Sequence, residues 1–165
     1  MQNNNKPITL IGMPGSGKST VGLFLGKMLK KSVYDLDKCI EDYLKISIPD
    51  IFAEKGEDYF RKIETLCLKK LLSIPNVIIS TGGGAVLQNS DLLKTQSNCI
   101  YLNRKISSIL KTLGKDRPLS KSKEDLEKLY AARSGLYKSA AHYTVINNYS
   151  SKKTAEKICK ILNSA

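Results

Sequence analysis

Eight residues near the start of the chain, Gly12-Met13-Pro14-Gly15-Ser16-Gly17-Lys18-Ser19, follow the spacing G-x-x-x-x-G-K-S. That spacing suits one kind of chemistry, the grip of a polyphosphate. Glycine lets the backbone turn tightly and approach an anion with no Cβ in the way. Successive N–H groups then converge on one concavity, and a helix starting there adds the positive end of its dipole. Lys18 would set a mobile positive charge on the outer phosphates. The Ser19 hydroxyl would be a ligand of Mg²⁺, and Thr20, one step on, could bond the inner phosphate. The motif points to a nucleoside triphosphate and leaves the phosphate acceptor open.

Two further clusters and one composition bias bear on the acceptor. Asp35-Leu36-Asp37 closes a short extended stretch. At a strand end, residues two apart share a face. At the C-terminal edge of a parallel sheet that face looks into the ligand crevice. One carboxylate could hold Mg²⁺ through water while the other bonds a substrate hydroxyl and takes its proton. The alternative is that one of them caps the next helix. Gly82-Gly83-Gly84 is a costly run of backbone to order. It reads as a place where a ligand approaches bare N–H groups, or as a tight strand-to-helix turn. Of 27 basic residues only four are arginines, Arg61, Arg104, Arg117 and Arg133. A surface charge can be Lys or Arg, but a planar fork onto carboxylate or phosphate needs Arg.

These groups need a scaffold. The β-branched run 8–11 reads as a buried strand leading into the loop. Val21, Leu25, Met28 and Leu29 give the helix over 18–31 its apolar period. Further strands are expected at 32–35, 76–81, 99–102 and 143–146. A helix opens at Leu36, and another starts at Ser47-Ile48-Pro49 with Ser47 as its cap. Gly56 breaks that pattern, and longer helices follow over 57–72, 106–113, 124–140 and 154–162. The polar break at 114–123 has the polarity of a mobile loop. Strands alternating with helices predict an α/β fold of three layers, α/β/α, around a parallel sheet of about five strands.

Composition narrows the class. With 165 residues and 41% hydrophobic content, one globular domain over 1–165 is expected. No window resembles a membrane span, and the polar N-terminus resembles no signal peptide. Cys39, Cys67, Cys99 and Cys159 are far apart, as expected of reduced thiols in a cytoplasmic protein. The net charge of +12 invites nucleic acid as a partner. The lysines are spread along helices and no aromatic RNA-binding signature is present, so no nucleic acid is expected. No exposed apolar stripe argues for assembly, and a monomer is expected.

The order G-x-x-G-S-G-K-S-T, D-L-D, I-F, G-E-x-x-F-R-x-x-E, G-G-G-A, R-P-L and R-x-x-x-Y resembles the shikimate kinases from about residue 8 to 161. The resemblance implies a P-loop kinase fold with a mobile lid. It implies ATP-dependent phosphorylation of the 3-hydroxyl of shikimate, a step toward chorismate and the aromatic amino acids. It implies that Gly15, Ser16, Gly17, Lys18, Ser19 and Thr20 hold ATP as co-substrate, with Mg²⁺ on Ser19 and Asp35 behind it. Asp37 would bond the shikimate hydroxyls and act as base, in a substrate segment over about 35–61 that rotates inward. Arg61 and Arg133 would grip the carboxylate with the backbone of Gly83 and Gly84. Phe52 and Phe60 would wall the ring pocket. Arg117, in the lid at about 113–123, would reach the transferring phosphoryl group. Arg104 is left as a surface residue, Lys111 stands where the family often has an adenine-packing Arg, and Asn147-Asn148-Tyr149 resembles the adenine-edge loop. His142 is expected to be structural. The alternatives are a gluconate-type or other small-metabolite kinase and a basic P-loop protein that binds nucleic acid or regulates.

Overall fold

The computed structural model describes residues 5–112 and 122–164. The elements, in chain order, are β1 (Ile8–Ile11), α1 (Lys18–Leu29), β2 (Ser32–Asp35), α2 (Leu36–Leu44), α3 (Ile48–Leu72), β3 (Val77–Ser80), α4 (Val86–Gln96), β4 (Asn98–Asn103), α5 (Ile106–Thr112), α6 (Lys123–Ala140), β5 (Tyr143–Ile146) and α7 (Ser151–Ser164). The five strands form one parallel sheet in the order β2-β3-β1-β4-β5.

Strand side chains alternate between two apolar clusters, as the period of two requires. Ile8, Leu10, Ile78, Ile100 and Leu102 join Val21 and Leu25 of α1 and Ala155 and Ile158 of α7 on one face. Ile11, Val77, Ile79, Cys99 and Tyr101 join α2 to α6 on the other, through Leu36, Leu68, Val86, Ile109 and Tyr137. Three layers result. Within this frame β1 sends its helix to one face while its neighbours β3 and β4 send theirs to the other. That reversal opens a crevice at the C-terminal ends of β1 and β3.

Two local readings differ from expectation. Helix α4 had no counterpart in the sequence reading. Its apolar pattern is interrupted at Asn89, whose φ of −119° is non-helical. Strand β2 ends at Asp35 and Leu36 already begins α2, so Asp37 lies in a helical first turn and does not share a strand face with Asp35. Gly56 breaks α3 as expected, at φ 81°. The four cysteines are free, with Cys67 and Cys99 buried. No helix among the described residues is long and apolar enough to cross a membrane.

Candidate active site

The glycine-rich loop joins β1 to α1. Gly15 and Gly17 have φ of 76° and 92°, where an L side chain is strained. The Ser16 N–H donates to Met13 O at 3.0 Å, closing the loop. Lys18, 8% exposed, donates Nζ to the carbonyls of Gly12 (2.9 Å) and Met13 (2.8 Å). Its charge thus rests on the loop that an anion would enter. Ser19 and Thr20 are exposed at the helix start.

Ser19 also links the loop to β2. Its hydroxyl donates to Asp35 Oδ2 at 2.9 Å and lies 3.2 Å from Ser80 Oγ. The other oxygen of Asp35 accepts from the N–H groups of Asp37 and Lys38. Asp35 therefore caps α2 and also faces the loop hydroxyl. A hydroxyl and a carboxylate this close are hard oxygen donors that fit Mg²⁺, an ion that takes one or two protein ligands and completes its shell with water and phosphate. No group of three or more His, Cys, Asp or Glu among the described residues could hold a metal on its own.

The cap places Asp37 over the glycine turn that follows β3. A Cβ on Gly82 would lie 2.8 Å from Asp37 Oδ1. Burial raises the pKa of Asp37 above its usual value, and the charge of Asp35 adds to this, while Lys18 and Arg61 pull it down. The glycine triplet is thus needed for space. None of the three has a positive φ, and a Cβ on Gly83 would meet Pro14 Cδ at 2.7 Å. A Cβ on Gly84 would run into the Arg61 guanidinium, whose Cζ would be 2.8 Å away. The turn lets Asp37, Pro14 and Arg61 crowd against bare backbone.

Arg61, 8% exposed, comes from α3. It donates Nε (3.3 Å) and Nη2 (3.2 Å) to Glu57 Oε1 and Nη1 to Glu64 Oε2 at 2.8 Å. Burial disfavours its charge, but the bonds to Glu64 and Glu57 more than offset this and its pKa is raised. Burial likewise raises the Glu64 pKa, against the pull of Arg61. Phe60 lies under the guanidinium, its centroid 5.1 Å from Cζ, and packs on Phe52 at 4.7 Å. Arg133, on α6, is close enough to lower the pKa of both Glu64 and Tyr137. The Tyr137 hydroxyl donates to Gly83 O at 2.6 Å. Burial pushes its pKa up to about 12, so it stays a neutral donor.

Asp37, Arg61, Gly83, Gly84, Phe52, Phe60 and the Arg133 side therefore meet beside the phosphate loop. Arg117 lies outside the described residues, as does nearly all of the expected lid. Arg104, read from sequence as a surface residue, is half-buried and donates Nη1 to Gly15 O at 3.1 Å. Asn147, in the turn after β5, is buried beneath the phosphate loop and donates Nδ2 to Ser16 O at 2.7 Å. His142 accepts from the Cys99 N–H at 3.1 Å, a structural role as expected. Glu57, Glu64 and Tyr137 had no assigned role in the sequence reading. Their signal was spacing: the two acids are at i−4 and i+3 from Arg61, and Tyr137 is at i+4 from Arg133. Nothing local announces the bond from Asn147 to Ser16 O, 131 residues away in sequence.

The chain is similar to known proteins along nearly its whole length. The family model for shikimate kinase matches residues 14–163. A shikimate kinase of Clostridium botulinum (strain Eklund 17B / Type B) is 40% identical, with 94% of this chain and 96% of the relative covered. One from Neisseria gonorrhoeae is 36% identical, with 99% of each covered. The solved structure of a shikimate kinase from Acinetobacter baumannii, in complex with shikimate, superposes with a TM-score of 0.92. It is 34% identical and covers 97% of this chain and 94% of its own. Agreement of this extent in sequence and in backbone makes the chain a member of the shikimate kinase family.

Proposed function

We propose that the protein transfers the terminal phosphoryl group of ATP to the 3-hydroxyl of shikimate, giving ADP and shikimate 3-phosphate. The observation that carries this reading is one turn after β3. There a half-buried carboxylate (Asp37) and a buried guanidinium (Arg61) lie over Gly82 and Gly84, beside the phosphate loop. A carboxylate to orient an alcohol and an arginine to hold an acid are what a small hydroxy acid requires.

The division of labour follows. The amides of residues 15–20 cradle the phosphates, and Lys18 leaves the loop carbonyls for the outer oxygens. Ser19, with Asp35 behind it, would hold Mg²⁺, which when bound neutralises charge on the phosphate oxygens. Asp37 accepts the proton of the attacking hydroxyl as its oxygen bonds to phosphorus and the bond to the ADP oxygen breaks. The substrate carboxylate takes the outer face of Arg61 in place of Glu57, with Arg133 as the second fork and the Gly83 and Gly84 backbone beside it. Phe52 and Phe60 wall the ring. Arg117 is assigned to the transferring phosphoryl group by its place in the family motif. The reading includes a cytoplasmic monomer, which sedimentation tests.

A coupled assay of ADP release tests the function. Release is expected to depend on shikimate and to be unmoved by gluconate. Equal release with no acid added overturns the reading.

A further inference from the structure

The reaction leaves Arg104 without a task, yet its side chain is specifically held. It follows β4 and donates Nη1 to Gly15 O at 3.1 Å and to Thr112 Oγ1 at 3.3 Å. Thr112 ends α5 and donates its own hydroxyl to Ile109 O at 2.9 Å. Arg104 Nε is buried with no partner among the described residues. A guanidinium cannot shed its charge, so burying part of it is costly unless its geometry serves something. Its base is fixed as well. The Asn147 N–H donates to Asn103 O at 2.8 Å, and the Lys105 N–H donates to Asn148 Oδ1 at 3.3 Å.

What the guanidinium holds is the phosphate loop. Gly15 O is bound by Arg104, and the next carbonyl, Ser16 O, is bound by Asn147 Nδ2 at 2.7 Å. Asn147 is itself anchored, since its Oδ1 accepts from Thr154 Oγ1 at 2.6 Å. In a trans peptide the C=O and the following N–H point opposite ways. Holding these two carbonyls from outside turns the N–H groups of Ser16 and Gly17 inward. In this structure the first of them spans the loop to Met13 O.

We propose that Arg104 is a positioning residue for the nucleotide: with Asn147 it holds consecutive loop carbonyls so that the phosphate-binding amides stay aimed, and its second bond ties that loop to the end of α5. The proposal rests on the loop being the nucleotide site. It concerns geometry, so charge alone does not satisfy it.

The test uses the full chain, with steady-state kinetics and calorimetric titration of ADP with Mg²⁺. Arg104 borders a cavity of about 350 Å³, so a side chain of another shape fits without disturbing the core. Arg104→Met is expected to raise both KM for ATP and Kd for ADP about tenfold, while KM for shikimate moves less than twofold. Arg104→Lys, which keeps charge but has a shorter reach than Nη1 and no planar guanidinium, recovers only a minor part. Thr112→Val gives a smaller rise, and the double variant is no worse than Arg104→Met alone, since both break one bridge. An ADP Kd within twofold of wild type in Arg104→Met overturns the proposal, as does full recovery with Lys or strict additivity. So does an equal loss of ADP and shikimate affinity with a large drop in Tm, which marks a scaffold role. Wild-type protein that binds ADP but turns over no shikimate overturns the proposed reaction and leaves the Arg104 test standing. Wild-type protein that binds no ADP overturns both.

Discussion

Asp37 carries a conflict between stability and use. Burial and the charge of Asp35 raise its pKa, and the attraction of Lys18 and Arg61 does not compensate. A folded-state carboxylate pKa above the unfolded value means the native state binds the proton more tightly. The ionised form therefore costs stability, and that cost appears as pH rises from the unfolded value of about 3.8 through the raised one. Asp37→Asn is expected to raise Tm by a few degrees, at about 2–4 °C per kcal/mol for a chain of this size. It should lower kcat by about 10²–10⁴. Calorimetry and the ADP assay read the two effects separately, and a fall in Tm would remove the conflict. The same shift predicts that the acid limb of kcat lies above the ordinary aspartate range. Glu57 offers a second case. Its side chain is 59% exposed, so its hold on Arg61 is a surface ion pair of under about 1 kcal/mol. Glu64, at 1%, is a permanent partner. Glu57→Gln should therefore lower KM for shikimate about two- to fivefold with kcat little changed, because the substrate no longer displaces a carboxylate. An unchanged KM would mean the acid does not take that face of Arg61.

At the scale of elements, the turn between β3 and α4 decides the geometry of the acid site. Gly84→Ala would drive a methyl group into the Arg61 guanidinium. The side chain must yield, so KM for shikimate should rise at least tenfold while KM for ATP stays within twofold. Tyr137→Phe would leave the part-buried Gly83 carbonyl without its 2.6 Å donor, at about 1–3 kcal/mol of stability. KM for shikimate should rise with it, and steady-state kinetics with a thermal melt measure both. The sequence showed that these glycines mattered but not for whom. A glycine run looks the same whether a ligand or the protein's own Asp37, Pro14 and Arg61 fills the space, and only the fold brings those three to one turn. The strands were legible because each is a short β-branched or apolar run between polar breaks. Helix α4 was not, since its non-helical Asn89 breaks the period that would announce it. Arg104 reads as a surface charge in the sequence because its partner, Gly15 O, lies 89 residues earlier, beyond any local pattern.

Over the whole molecule the site joins two layers. The phosphate loop leads into α1, which packs on one face of the sheet. Asp37, Arg61 and Arg133 stand on α2, α3 and α6, which pack on the other. Each ligand therefore ties different helices to the sheet, and each bound only by the native state stabilises it by RT ln(1 + [L]/Kd), about 2.7 kcal/mol at 100 Kd. ADP and shikimate should each raise Tm by about 5–10 °C at that excess. Arg133→Met should erase the shikimate shift and leave the ADP shift. A loss of both would mean that Arg133 holds the fold instead of the acid. Charge supplies an independent check. The chain carries a net +12 and both ligands are anions, ADP the more highly charged. Attraction to the whole positive surface is screened over about 10 Å at 0.1 M salt and about 3 Å at 1 M. Raising salt across that range should shrink the ADP shift more than the shikimate shift. In the proposed site the acid meets the buried Arg61 and the half-buried Arg133 through one carboxylate, contacts that salt reaches less than the open surface.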